Sequence, residues 1–170
     1  IATMRKMIAV LVGIIILAGV NYTIYSREQQ LSNGQIVLLE LAPVDPRSLM
    51  QGDYMALDFA INRTAFSAAS AEQSEGLKDG DLVVSLDKNS VAHFKRFTDN
   101  SAKSGDEVLL SYRIRDGQPK FATNAYFFQE GTAEQYESAR YGEFRVSKSG
   151  NMILTKLRDA QFAELGATPQ

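Results

Sequence analysis

The sequence has no cysteine and a single histidine, His93. The first absence excludes disulfides and thiolate chemistry. The second would leave a zinc or copper site to carboxylates or an open shell, which is unusual, so no metal is expected. His93 itself reads as a surface or half-buried strand residue. No Asp-x-Asp-x-Asp-Gly loop offers calcium a cage. A glycine-rich phosphate loop, a Gly-x-Ser-x-Gly elbow and a His-Glu-x-x-His pair are also missing, and no cofactor is expected. No run of basic residues occurs, which argues against nucleic acid as a partner.

Charge is absent from one long stretch. Met7 to Tyr25 gives 19 uncharged residues, mostly Ile, Val, Leu, Ala and Gly. As a helix this stretch is roughly 28 Å long, close to the ~30 Å hydrocarbon thickness of a bilayer. Lipid imposes a helix even on Ile14-Ile15-Ile16, because backbone groups must bond within the segment. Arg5-Lys6 is a positive flank on the N-terminal side, and Tyr22 and Tyr25 suit the far interface. The expected topology is N-terminus inside, C-terminal domain in the periplasm or outside, at the bacterial cytoplasmic membrane. Signal-peptide cleavage wants small residues one and three positions before the cut. Ala18 has Ile16 two residues before it, so an uncleaved anchor is expected. Ala9 and Gly13 form a small-xxx-small pair and Asn21 is polar; both suit a partner helix, although Gly and Ala are common in membrane helices anyway. Ile1 to Thr3 precede a candidate initiator, Met4, and are left out of fold reasoning.

All 20 acidic residues lie beyond the apolar stretch with 16 of the 18 basic ones, a charge near −4 (16 − 20). The expected layout is residues 1–6 in the cytoplasm, 7–25 across the membrane, 26–34 as a polar linker, 35–159 as a β-rich domain and 160–170 as a tail. Apolar residues on both faces of 35–41 predict a central strand. Residues 62–75 read as a short helix capped by Asn62 or Thr64, or as a loop, with Phe66 as the large anchor. Hairpins follow. Leu82, Val84 and Leu86 alternate, Asp87 to Ser90 turns, and the chain returns with Phe94 and Phe97 on opposite faces. Val108, Leu110, Tyr112 and Ile114 alternate before Asp116-Gly117, a strong tight-turn signal. Residues 120–128 form the partner strand. Thr132 to Gln135 fits a capping box for a helix to Arg140 or Tyr141, with Gly142 as its stop. A last hairpin turns at Lys148-Ser149-Gly150. Seven or eight strands predict a mainly β domain, an antiparallel barrel-like structure or sandwich with one or two short helices.

The stretch from Asp45 to Phe59 organises the rest. Pro46 and Gly52-Asp53 are turn signals. A strand starting at Tyr54 puts Met55, Leu57, Phe59 and Ile61 on the core face and Tyr54 on the other. Gly52-Asp53-Tyr54-x-x-Leu57-x-Phe59, preceded by Asp45-Pro46-Arg47-Ser48-Leu49, resembles the GDYXXLXY family of bacterial proteins. A second block, Tyr126-Phe127-Phe128-Gln129-Glu130-Gly131 through Tyr136 and Ala139 to Glu143, then Leu157-Arg158-Asp159, is also similar. Phe59 stands where the family name has Tyr. The resemblance implies a membrane-tethered envelope protein, often encoded beside polytopic membrane proteins, and implies no known activity.

The turn is also similar in outline to the leading edge of type I signal peptidases. The position of their serine nucleophile is Val44 here, and no lysine base lies in the following strand, so proteolysis is not expected. Arg47, Asp53, Tyr54, Tyr126, Glu130, Arg140 and Tyr141 are the candidate binding residues. Charged residues at Asp45, Arg47, Asp53, Glu130, Arg140, Glu143, Arg158 and Asp159 are able to hold a polar ligand, yet turn bonds and ion pairs are their ordinary roles. Tyr54, Tyr126, Tyr136 and Tyr141 suit an aromatic patch for a protein partner or ordinary packing. The expected function is a non-catalytic accessory subunit docking on a polytopic membrane protein. The alternatives are a binding module for a peptide or glycan near Tyr54, and a hydrolase of unrecognised type using Ser48 and Asp53.

Overall fold

The structure, a computed structural model of the chain, describes residues 2–42, 50–51, 54–66, 78–98 and 105–166. It divides into two units, Ile1–Gly34 and Gln35–Gln170.

The first unit is one helix, α1 (Ala2–Asn33). It continues through the segment expected to be a linker. Polar i,i+4 bonds explain the extension: Gln29 Nε2 donates to Tyr25 Oη at 3.2 Å and Asn33 Nδ2 to Gln29 Oε1 at 2.6 Å. The Gly34 N–H closes the last turn on Gln30 O at 2.8 Å.

The second unit is mainly β and sandwich-like. Its strands are β1 (Gln35–Glu40), β2 (Met50–Gln51), β3 (Tyr54–Ala56), β4 (Gly80–Leu86), β5 (Ala92–Thr98), β6 (Glu107–Arg115), β7 (Gln118–Phe121), β8 (Ala125–Phe127), β9 (Tyr141–Val146) and β10 (Met152–Arg158). They form three antiparallel sheets, ordered β1-β9-β10, β2-β3-β8 and β5-β4-β6-β7. One core joins all three: Val37, Phe144 and Leu157 from the first, Met55 from the second, and Leu82, Leu110 and Phe121 from the third. The barrel alternative fails because the ladder is interrupted. The expected strand over 120–128 breaks at Ala122, which takes φ 39, and β8 moves to a different sheet from β7.

β1 lies at the edge of its sheet rather than centrally. Val37, Leu38 and Leu39 are buried all the same, because the Leu38 N–H donates to Ser90 O at 2.8 Å and bridges at Leu38–Val91 and Leu41–Phe59 cover the open side; Ile36 is exposed. The Asp116-Gly117 turn has φ 54 and 71, as a tight hairpin requires. Phe94 and Phe97 share a face, with ring centroids 5.1 Å apart. Lys95 is extra in the β4–β5 ladder, since Val83 pairs with Arg96 and Val84 with Phe94. A bulge of this kind resets the alternation.

Two helical expectations change. Helix α2 runs Ala60–Phe66, with Asn62 inside it, donating to Asp58 Oδ1 at 3.1 Å, rather than capping it. Phe66 is the anchor, packed on Phe97 and Tyr112. The helix at 132–140 reduces to a 3-10 turn, Ala133–Tyr136, because the Thr132 hydroxyl donates back to Gln129 O at 2.6 Å and caps nothing. Gly142 is a buried residue of β9, not a helix stop. A side chain there would press within 3.2–3.3 Å of Phe144, Leu154 and Phe59.

Candidate functional site

Leu57 and Phe59 are buried as the alternation predicts, at 3% and 0% exposure. Phe59 lies against Phe121 and Phe144 with centroids at 6.5 and 5.5 Å. Its surroundings are aromatic and aliphatic, which suits the missing hydroxyl. The described part of the motif, Tyr54 to Phe59, therefore supplies core residues and a strand of the small sheet.

That sheet divides the candidate tyrosines. Tyr54 pairs across the ladder with Phe127, and Met55 pairs with Tyr126. Successive residues face opposite sides, so Tyr54 and Tyr126 do not share a surface. Tyr54 and Phe127 form an outer ring pair at 5.7 Å, and Phe127 is 74% exposed. Tyr126 turns inward, where Tyr136 meets its ring at 5.3 Å and stacks on Phe128 at 5.2 Å. Burial pushes the Tyr126 phenol up to about 12, helped by the field of Tyr136 and a hydrogen bond to it. Tyr141 stacks on Phe162 at 4.9 Å, a third grouping. Glu130 is exposed before the 3-10 turn. Arg140 is exposed too, and its backbone ties two strands: its N–H donates to Arg158 O and its carbonyl accepts from Leu41 N, each at 2.8 Å. Arg47, Asp53 and Ser48 lie outside the described residues.

Two buried carboxylates escaped the list of sites. Glu143 is 2% exposed and accepts from Arg158 Nε at 2.6 Å; the Thr155 hydroxyl donates to its backbone carbonyl at 3.1 Å. Thr155 is the extra residue of a second bulge, in β10. Glu107 takes a fork of bonds from Arg96 at 2.8 and 2.9 Å and a third from Lys95 at 2.8 Å. The bulge at Lys95 lets two consecutive cations reach one acid. Glu143 and Arg158 stand in the charged cluster read from the sequence; the signal for their pairing is the hairpin register, which brings 143 beside 156. Phe127 was legible as well. In Tyr126-Phe127-Phe128 on a strand, the middle ring faces opposite to its neighbours.

The one histidine does not stand beside the closest hydroxyl–carboxylate pair of the described residues. Ser111 Oγ donates to Asp81 Oδ1 at 2.6 Å, whereas His93 lies 3.7 Å from Asp87. Asp81 lies near the start of β4 and Asp87 just past its end, roughly 20 Å apart at the rise of a strand. Nor do three His, Asp or Glu side chains gather there as a metal would need.

The class is thus a mainly β, sandwich-like domain preceded by a helix long and apolar enough to span a membrane. A family model described as GDYXXLXY protein matches residues 16–157, and the chain belongs to that family. Searches of curated proteins and of solved structures found no match.

Proposed function

We propose that this protein is a membrane-anchored accessory subunit with no reaction of its own, docking through its β domain on a polytopic membrane protein. The observation that carries this reading is α1. The apolar span of α1 is 0% buried, with Ile14, Ile15 and Ile16 about 60% exposed. A surface apolar all round its circumference is stable in lipid and not in water. Arg5-Lys6 favours the N-terminus inside, which leaves the domain outside the cytoplasm. Anchoring confines domain and partner to one layer, so a modest interface is enough. The Tyr54–Phe127 pair supports a protein partner, because an exposed ring such as Phe127 is a typical interface anchor.

Extraction of the intact protein in mild detergent, with mass spectrometry of what co-purifies, tests the proposal. A polytopic membrane protein in stoichiometric amount is the expected result. A monomer without companions overturns it.

A further inference from the structure

The edge of β10 is closed by the chain's own return. Residues 159–166 do not trail away as the expected tail: the Asp159 carboxylate accepts from Gln161 N and Ala163 N at 2.8 and 2.9 Å, Arg158 Nη1 donates to Phe162 O at 2.6 Å, and Leu165 N donates to Leu157 O at 3.0 Å. Residues 167–170 lie outside the described residues. The β6–β7 hairpin ends its sheet differently. Arg113 of β6 stands directly opposite Lys120 of β7, so the two side chains share a face. Arg113 is exposed, Lys120 is half-buried, and neither makes an ion pair among the described residues. Arg115, opposite Gln118, lies on the same face two residues along. Like charges directly opposite in a ladder are destabilising. Lysine and proline commonly guard an edge strand, as Pro119-Lys120 do here, but that guard needs no arginine on the strand inside it. The acids beside the hairpin are engaged elsewhere: Asp79 Oδ1 accepts from Ile114 N at 2.8 Å and lies 3.6 Å from Arg115, and Asp81 accepts from Ser111 Oγ at 2.6 Å. Asp116 forms the turn. Arg113 and Lys120 are thus a cationic spot on a domain of net negative charge, near −4 (16 − 20) beyond the apolar stretch. The spot lies near where the chain enters the domain. β1 starts at Gln35, opposite Val146, and the turn after Val146 meets β6 where Ser111 N donates to Gly150 O at 2.9 Å. Arg113 is two residues further along the face of Ser111, roughly 7 Å at the rise of a strand.

We propose that Arg113, Lys120 and Arg115 dock the domain on the phosphate headgroups of anionic phospholipid. Two cations facing each other destabilise the free hairpin, and an anion laid over them relieves the repulsion. Headgroup phosphates supply that charge at the surface in which α1 anchors the chain. Arginine forks onto phosphate oxygens and lysine adds a point charge. Each cation at an anionic surface strengthens association by about fivefold, and the attraction fades within a Debye length. The proposal rests on the reading of α1 as an anchor, which brings the lipid within reach; the Tyr54–Phe127 pair is left to the protein partner.

The chain has no tryptophan, so Gln118→Trp puts one such fluorophore on this face, across from Arg115. The full-length variant is placed in nanodiscs of phosphatidylcholine, with or without phosphatidylglycerol, each carrying the same fraction of lipid with a nitroxide on its headgroup. Quenching is expected to be at least about twofold stronger with phosphatidylglycerol, and to fall to the phosphatidylcholine level in about 0.5 M salt, where the Debye length is about 4 Å. Lys120→Glu is the control. It turns a repelling pair into an attracting one, so the thermal melt is expected to hold or rise while the gain from phosphatidylglycerol is lost. A gain that survives Lys120→Glu overturns the proposal. Equal quenching in the two discs also overturns it and leaves these cations to an acidic segment of a protein. A chain that enters neither disc removes the anchor reading and this proposal with it; one that enters both without a difference removes this proposal alone. Should Gln118→Trp lower the melt, amine labelling of Lys120 in the native chain replaces it. Labelling at least about threefold slower with phosphatidylglycerol, relative to the exposed Lys88, is then expected, and an unchanged ratio overturns the proposal.

Discussion

Phe59 has no exposed surface and lies between two other rings, whereas Phe127 is 74% exposed on the outer side of β8. Truncation therefore has opposite meanings at the two positions. Phe59→Ala removes a ring from a closed core and is expected to destabilise the domain by about 3–5 kcal/mol. Phe127→Ser changes a solvated surface and is expected to stay within about 0.5 kcal/mol of the parent. Urea melts of both variants check this. Under the accessory-subunit reading, Phe127→Ser also lowers partner recovery while the melt stays put. Glu143 calls for different reasoning. Its carboxylate is buried and its charge is matched by Arg158. Arg158→Met would leave that charge without its counter-ion and is expected to lose about 3–5 kcal/mol, while Glu143→Leu with Arg158→Met recovers much of the loss. Melts of the single and double variants decide the matter. A double variant as weak as the single would assign the loss to packing or to the loosened 159–166 segment instead.

At the scale of elements, the hairpin β9–β10 is held to the β4–β6 sheet by its turn. Gly150 takes φ 87, its carbonyl accepts from Ser111 N at 2.9 Å, and a Cβ there would lie 2.8 Å from Ser111 Oγ. Gly150→Ala thus meets both a left-handed backbone and a collision. A loss of about 1–2 kcal/mol from the backbone alone is expected, with the collision adding to it. A thermal melt reads it, and an unchanged midpoint would mean that the turn moves freely off Ser111. This turn, like Asp116-Gly117, was legible because glycine and short polar residues specify such conformations locally. The buried alternation of Met55, Leu57 and Phe59 was legible for the same reason: strand parity is a local property. What escaped is non-local. Bulges at Lys95 and Thr155 shift parity within strands that alternate cleanly on paper, which placed Phe94 and Phe97 on opposite faces. The 132–140 helix had a good capping pattern, but Gln129 O competes for the Thr132 hydroxyl. Among the site residues, Tyr54 was placed correctly off the core. Its separation from Tyr126 depends on the register with β8, a partner some seventy residues away in sequence. The anchoring of Phe162 on Tyr141 likewise has no local signature.

For the molecule as a whole, the question is what α1 contributes against what the domain contributes. Between Met7 and Tyr25 stand ten Val, Leu and Ile residues. At roughly −0.3 to −0.6 kcal/mol each near a helix centre, they favour insertion by roughly 3–6 kcal/mol. One arginine in the middle adds roughly 2.5–3.5 kcal/mol, which takes back most of a mid-range gain of roughly 4.5 kcal/mol and leaves a small balance for insertion. Two add roughly 5–7 kcal/mol, which does reverse it. Ile15→Arg is therefore expected to leave a large part of the protein in the membrane after alkaline washing, and Leu11→Arg with Ile15→Arg to release most of it. The domain's own melt is expected to be the same in both variants, since the described core residues run from Val37 onward. If the doubly substituted chain still sediments with the membrane, the domain itself carries membrane or partner affinity enough to hold it there. Adding Phe127→Ser to that chain then separates the two sources: release on the third substitution assigns the residual affinity to the exposed aromatic pair, and retention assigns it elsewhere on the domain.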